Sequence, residues 1–331
     1  MIGDLRVLVD CGSGFGDSDA MLDDGLDTLR REYGEPAAWS DLTHILITHG
    51  HIDHFGGLQH ARRMCQAQVG IHELDLRILT HYEDRLAVTA RRLMDFFLDA
   101  GVPAPEREEL RELYLLNKHL FHSVQVDLTF HARNMQVGPI RAHHVPGHGA
   151  GHVVLLVDDV LLAGDHVLKG VSPHLAPERL QPSTGLTHYL ASLGKVLRLS
   201  PNVRLTLGGH GDPIEDLPAR IDAILGLHWL RLQRVLELAS TPVTVAEVSA
   251  GLFPQADGYH RLLAVEEAAA HVEFLSLHGY LGVSVPTDAG SALRYARADR
   301  LAPQLPPLRA WASTEVSVVD PEPSVIRQED S

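Results

Sequence analysis

Apolar and polar side chains alternate over residues 5–9, and the stretch is rich in branched residues, so it reads as a strand. The glycine-rich run Asp10-Cys11-Gly12-Ser13-Gly14-Phe15-Gly16 then breaks the pattern as a turn. Over 19–33 the spacing becomes helical, with Met21, Leu22, Leu26 and Leu29 on one face. Strands are predicted at 43–47 and 68–72, with a helix at 55–66 between them. Residues 74–121 form a long helical stretch, interrupted at Gly101-Val102-Pro103-Ala104-Pro105. Strand patterns return at 124–130, 137–143, 152–157 and 160–163, the last two joined by a tight turn at Asp158-Asp159. A helix at 187–199 and a strand at 204–207 lead into Gly208-Gly209-His210-Gly211-Asp212-Pro213. Strands alternating with helices indicate a layered α/β fold.

The character changes after Pro218. Helices are predicted at 220–239, from Val243-Thr244-Val245-Ala246-Glu247-Val248 onward with a capped start, and at 264–278. A β-hairpin follows, with strands at 280–285 and 291–296 around a turn at 286–290. Three helices and a hairpin outline a winged helix. Prolines 303, 306, 307, 321 and 323 among polar residues predict a disordered tail. The expected organisation is therefore a layered α/β domain over 1–217 with a helical insert at about 74–121, a winged-helix-like domain over 218–300, and a tail over 301–331.

Composition narrows the class. The 331 residues suffice for two folded units, and 45% hydrophobic content suits a globular core. No apolar run approaches the roughly 18–20 residues of a membrane helix, and the N-terminus lacks a signal pattern. With only Cys11 and Cys65, no disulfide framework is expected, and the cytoplasm is the default compartment. A formal charge of −15 argues against general nucleic-acid binding. The 22 histidines matter only where they fall in ligand spacing.

They do so once with force. His49, His51, Asp53 and His54 lie within six residues, on a loop between a predicted strand and a predicted helix. Imidazole nitrogens and a carboxylate are natural ligands of Zn²⁺ and similar cations. His49 and His51, two apart on an extended loop, can point the same way. A solvated loop with chance histidines accounts poorly for this density.

The run His49-Gly50-His51-Ile52-Asp53-His54 resembles the H-x-H-x-D-H signature of the metallo-β-lactamase superfamily. That resemblance implies an αββα sandwich with two metal ions at one edge. Three later stretches resemble the remaining ligand loops: Val145-Pro146-Gly147-His148, Leu161-Leu162-Ala163-Gly164-Asp165, and Leu207-Gly208-Gly209-His210-Gly211. The resemblance assigns His49, His51 and His148 to one cation, Asp53, His54 and His210 to the other, and Asp165 as the bridge. It implies hydrolysis by a bridging hydroxide, with Asp53 orienting the nucleophile. His166 is a candidate for the substrate pocket. His143 and His144 are expected to pack, His152 to orient the ligand loop, and Asp10 to hold it by hydrogen bonds. Zinc suits the ligand set, although iron and manganese accept it too.

The C-terminal third resembles a lactamase-β-like group with an associated winged helix, on 268–275 with His278-Gly279-Tyr280, Gly164-Asp165-His166-Val167-Leu168, and Ser172-Pro173-His174. Glyoxalase II and the quorum-quenching lactonases fit less well: the basic glutathione-binding helices are absent, and no tyrosine follows Asp165 closely. Family members carry one or two strands before the first one found here, at 5–9. The insert at 74–121 is read either as a packing layer or as a lid, with Tyr82, Arg85, Phe96, Phe97, Tyr114, Phe121 and His122 on the lid face. The leading expectation is a hydrolase of small esters, thioesters or lactones, with phosphoesterase side activity and no membrane association. An endoribonuclease using Arg91, Arg92, Arg231 and Arg234, and a winged-helix regulator, are the alternatives. Glu266, Glu267 and Glu273 oppose the regulator. The winged helix is expected to support the site or a homodimer contact.

Overall fold

The computed structural model of the protein describes residues 3–35, 37–131, 135–284, 291–298 and 307–312. In chain order its elements are β1 (Val7–Val9), α1 (Ser18–Glu32), β2 (His44–Leu46), α2 (Ile52–Phe55), α3 (Leu58–Met64), β3 (Gln68–His72), α4 (Leu76–Thr80), α5 (Tyr82–Ala100), α6 (Ala104–Leu115), β4 (Leu128–Phe130), β5 (Gln136–Val137) and β6 (Ile140–His144). There follow β7 (Val153–Val157), β8 (Val160–Gly164), α7 (Leu186–Leu199), β9 (Leu205–Gly208), α8 (Leu217–Leu238), α9 (Val245–Leu252), α10 (Gly258–Leu277), β10 (Leu281–Ser284), β11 (Arg294–Arg297) and α11 (Leu308–Ala312).

Two sheets face each other. One is parallel, in the order β1-β2-β3-β4; the other runs β5-β6-β7-β8-β9 and is antiparallel except for the parallel pair β8/β9. Side chains on a strand point alternately to opposite faces, and the cores follow that rule. Leu46, Phe130, Ile140, Ala142, Val153 and Leu155 fill the space between the sheets. Ile45, Ile47, Val69 and Ile71 face outward onto Leu58, Ala61, Leu79 and Tyr82. Val154, Leu156, Leu161 and Ala163 face outward onto α7, α8 and α10. The result is helix, sheet, sheet, helix. Because β7 is buried on both faces, its sequence is an unbroken apolar run instead of an alternating one.

Helices α8, α9 and α10 and the β10/β11 ribbon share one continuous apolar core with α7, β7 and β8. Helix α8 starts at Leu217, three residues before the predicted position, because Asp216 caps it by accepting from the Ala219 N–H (2.9 Å) and Pro218 is tolerated in a first turn. Thr244 and Glu247 form the expected capping box of α9. The predicted hairpin turn at 286–290 lies outside the described residues, as does the predicted tail apart from 307–312. There α11 packs against α7 and α8, with Leu308 and Ala312 buried.

The helical insert is mainly a packing layer. Phe96 and Phe97 lie in the large core, while Tyr82 and Phe121 pack under the parallel sheet. These four are therefore not lid-face residues; burial of their rings is what fixes α5. Among the described residues, no helix is long and apolar enough to cross a membrane.

The predicted helix at 55–66 is in fact two, α2 and α3, separated by Gly56-Gly57. The reason lies far away in the chain. The Cys11 N–H donates to the His54 carbonyl (2.8 Å), the Gly57 N–H donates to the Gly12 carbonyl (3.1 Å), and a Cβ at Gly56 would fall on the Ser13 carbonyl. Gly56→Ala is therefore expected to destabilise the fold by about 1–3 kcal/mol through overpacking. Gly226→Ala, on the open face of α8 with no neighbour in reach, should stabilise it by about 0.5–1 kcal/mol. Thermal melts followed by circular dichroism should move in opposite directions for the two variants.

Candidate metal centre

Strand ends deliver the polar side chains. His49 and His51 follow β2, His51 immediately precedes α2, and Asp53 and His54 sit within that helix. His148 lies on the β6–β7 loop, Asp165 directly after β8, and His210 two residues after β9. All seven converge at one edge of the sandwich. They form two groups whose donor atoms lie within 4.8 Å of one another: His49, His51 and His148, and Asp53, His54, Asp165 and His210.

Distances inside the groups are those of converging donors. His49 Nε2 is 3.0 Å from His51 Nδ1, and His210 Nε2 is 3.1 Å from Asp53 Oδ2. Asp165 lies between the groups: Oδ1 is 3.4 Å from His54 Nε2, and Oδ2 is 3.5 Å from His210 Nε2 and 3.8 Å from His148 Nε2. Yet His54 Nε2, His148 Nε2 and Asp165 Oδ1 are buried and make no hydrogen bond. Buried polar atoms without partners are costly, and these three are the atoms a bound cation would satisfy. The donor set therefore fits divalent metal ions.

The rest of the cluster is tied down. Asp10 accepts from the Thr48 N–H (2.7 Å) and Thr48 hydroxyl (2.9 Å), and its Oδ2 is 2.7 Å from His54 Nδ1. Asp75, only 1% exposed, accepts from the Gly50 N–H through one oxygen and from the Gly151 N–H through the other, both at 2.9 Å. It thereby joins the two loops that carry His49, His51 and His148. His152 accepts from the Asp165 N–H (3.1 Å) and stacks on His49 with ring centroids 4.6 Å apart. His148 Nδ1 is 2.6 Å from the His174 carbonyl, which turns Nε2 toward the centre. Gly164, at φ 49°, leaves room for Thr48 and His152, whose side-chain atoms lie 2.8 and 2.9 Å from where a Cβ would stand.

Electrostatics divides the two groups. Burial holds His49 well below the usual imidazole range, His51 at about 4 and His148 at about 3, so all three present neutral lone pairs at pH 7. Burial also pushes His54 down, but the Asp10 carboxylate hydrogen-bonded to its Nδ1 and the Asp165 carboxylate 3.4 Å from its Nε2 outweigh that and raise it to about 10. Asp165 is held below the usual carboxylate value: burial raises it, and the nearby imidazoles of His54, His148 and His210 prevail. Asp75 is pushed up to about 6 by burial, against the pull of its two N–H donors.

His166 corrects a sequence expectation. It is fully buried, its ring packs between His152 and Tyr189, and the Tyr189 hydroxyl donates to its carbonyl (2.9 Å), so it does not face the open side of the centre. His144 packs as expected, stacked on His72 at 4.1 Å. Asp75 and His174 were missed by sequence reasoning. Each acts from a segment outside the ligand motifs, and a lone Asp or His carries no spacing signal. A third cluster, His228, Glu267 and His271, lies buried between α8 and α10.

Residues 2–210 match the metallo-beta-lactamase superfamily. The chain belongs to the metallo-β-lactamase superfamily. Among curated relatives of this superfamily chain, "Probable metallo-hydrolase YqjP" of Bacillus subtilis (strain 168) is 24% identical over 287 residues, covering 82% of this chain and 85% of its own length. The metallo-beta-lactamase family protein TTHA1429 of Thermus thermophilus superposes with a TM-score of 0.68 at 29% identity, over 87% of this chain and 89% of that one. A beta-lactamase domain protein from Burkholderia ambifaria gives a TM-score of 0.70 at 25% identity, over 88% and 83%. With these relatives, the superfamily fold and its candidate ligand groups, the protein is a metal-dependent hydrolase.

Two outcomes follow for metal binding. Asp75→Asn leaves one loop N–H without its acceptor and should weaken metal affinity about 10–100-fold, measured by competition with a chromophoric chelator. A cation also needs the His54 Nε2 lone pair, and His54 is protonated below about 10. Metal loading at pH 7 should therefore release a proton from His54, and affinity should rise with pH across the neutral range. Calorimetry in buffers of different ionisation enthalpy measures that proton.

Proposed function

We propose that this protein is a dinuclear metal-dependent hydrolase of small esters, thioesters or lactones, with zinc as the preferred metal. The observation that carries the reading is Asp165, whose two oxygens lie within 3.4–3.8 Å of donor atoms from both ligand groups. One carboxylate spanning two sets of donors is the arrangement that places two cations side by side. Such a pair lowers the pKa of a shared water and stabilises negative charge on the reacting oxygen.

The chain supplies the remaining functions. His49, His51 and His148 hold one position with neutral imidazoles, and Asp53, His54 and His210 hold the other. Asp53 and His210 are about half exposed, unlike the other candidate ligands, so this corner is where substrate and solvent reach the centre. Asp53 is placed there to orient the attacking water and take up its proton. A cavity of about 720 Å³ adjoins Asp53, His54 and His210, of a size for a small molecule.

Charge placement favours a small substrate over RNA. Of the arginines considered as a basic patch, Arg91 pairs with Asp95, Arg231 with Glu267 and Arg234 with Glu237. Glu266 and Glu267 are buried against His174 and Arg231. In this reading α8–α10 and the β10/β11 ribbon form a winged-helix-like unit that walls the site.

The test is metal-loaded protein assayed on p-nitrophenyl esters, a thioester, a lactone, a phosphodiester and single-stranded RNA. Turnover of an ester, thioester or lactone is expected, with loss of activity by several orders of magnitude in Asp165→Ala and after chelation. Cleavage of RNA alone, or full activity without metal, overturns the reading.

A further inference from the structure

Residues 165–185 join β8 to α7 with no helix or strand element between them. Asp165 opens this segment, and His174, further along it, presents the carbonyl that lies 2.6 Å from His148 Nδ1. A carbonyl oxygen can only accept, so Nδ1 carries the ring proton and Nε2 of the neutral ring keeps its lone pair. The tautomer of one candidate ligand is therefore set by the direction in which a single peptide carbonyl points.

That peptide has a second end. The His174 carbonyl and the Leu175 N–H belong to one planar group and, in the trans form, point in opposite directions. The Leu175 N–H donates to Glu267 Oε2 on α10 at 2.7 Å, in a buried contact. Hydrogen bonds at the two ends of one peptide polarise it in the same sense, so each strengthens the other. The line from Glu267 through this peptide to His148 is a carboxylate–histidine pair with a peptide group inserted in it.

Glu267 is itself held firmly. Its Oε1 accepts from Arg231 of α8 at 2.9 Å, and the same guanidinium reaches Ser172 Oγ at 3.2 Å. The Glu267 carbonyl accepts from His271 Nδ1 at 2.7 Å, which leaves His271 Nε2 to receive the His228 Nδ1–H at 3.0 Å. The buried cluster between α8 and α10 thus fixes a carboxylate whose other oxygen faces the 165–185 segment. Glu266, its neighbour, lies 3.1 Å from His174 Nε2. Consecutive carboxylates of α10 therefore meet the side chain of His174 and the peptide that follows it.

We propose that Glu267 is a positioning residue for His148: through the His174–Leu175 peptide it fixes the Nδ1–H tautomer and aims Nε2 at the three-histidine group. Helices α8 and α10 then take part in the metal centre without giving it a ligand. The inference rests on the metal-dependent reading for what His148 holds, but not for its tautomer.

Two readouts test it, and neither needs turnover. In metal-free protein, proton–nitrogen correlation spectra of the histidine rings show which nitrogen of His148 is protonated, its signals being assigned by their loss in His148→Asn. Wild type should show Nδ1–H. Glu267→Gln keeps the size of the side chain but has one acceptor for two donors. The charged Arg231 takes that oxygen as the stronger partner, and the amide NH2 is left against the Leu175 N–H. A mixture of tautomers is expected in this variant, with zinc affinity weakened about 10–100-fold in competition with a chromophoric chelator. Combining it with Arg231→Met frees the oxygen for Leu175 and should restore the tautomer and most of the affinity. Glu273 accepts from the Glu178 and Arg179 N–H groups of the same segment at 2.8 and 3.2 Å, away from that peptide. Glu273→Gln should therefore match wild type in both readouts.

An Nε2–H tautomer in wild type overturns the proposal, and does so whether or not any variant folds. Wild-type tautomer and zinc affinity in Glu267→Gln overturn it too. Equal losses in Glu273→Gln would mark general loosening of the segment and have the same consequence. If the protein binds no zinc while the His148 tautomer still follows Glu267, the positioning stands and the metal reading falls.

Discussion

Bringing polar side chains from four chain segments to one buried point strips water from the backbone around them, and every stripped N–H needs an acceptor. Two buried carboxylates meet much of that need here. Asp75 takes the N–H groups of Gly50 and Gly151, so one side chain at the end of β3 holds two ligand loops in register. Asp10, at the end of β1, takes the Thr48 N–H and hydroxyl and meets His54. With these contacts made, loop backbones are satisfied and the ring nitrogens turned away from the centre are fixed. Among the candidate ligands, the buried atoms left without a hydrogen bond are His54 Nε2, His148 Nε2 and Asp165 Oδ1. The fold spends its buried hydrogen bonds on orientation and leaves the donors bare.

The same burial sets protonation. Removing water disfavours charge, so His49, His51 and His148 stay neutral, the form in which imidazole binds a cation. At His54 the carboxylates of Asp10 and Asp165 reverse the outcome and keep a proton on the ring while no cation competes for it. Two halves of one cluster thus meet a metal differently: one is ready, and the other exchanges a proton for it.

The ligand motifs were legible in the sequence because the chemistry packs them locally: four candidate donors fall within six residues, and the others end strands in short glycine-bounded runs. The layering was legible too, since 153–157 is apolar throughout and must be covered on both faces. What escaped was non-local. The break between α2 and α3 depends on carbonyls of Cys11, Gly12 and Ser13, more than forty positions away. Phe96 and Phe97 suit a lid face or a core equally well on periodicity alone, and packing decides for the core. The burial of Glu266 and Glu267 could not be read from the sequence because their partners, His174 and Arg231, are on other elements. Asp75 stands alone in sequence and acquires meaning only from the two loop N–H groups that the fold sets beside it.

The two buried histidine clusters show how little separates a metal centre from a structural network. At His228, Glu267 and His271, ring nitrogens meet at 3.0 Å, as they do at His49 and His51. Glu267, however, already has both oxygens engaged, one by Arg231 at 2.9 Å and one by the Leu175 N–H at 2.7 Å, and His271 Nδ1 is 2.7 Å from the Glu267 carbonyl. A dication there would have to enter a site no more than 5% exposed and sit beside a guanidinium that cannot be deprotonated. In the other cluster, no arginine or lysine pairs with Asp10, Asp53 or Asp165 among the described residues; their partners are imidazoles and backbone. The deciding feature is therefore the counter-charge. Where the carboxylate has an arginine, the cluster holds α8 and α10 together; where it lacks one, the negative charge is left for a metal ion to neutralise.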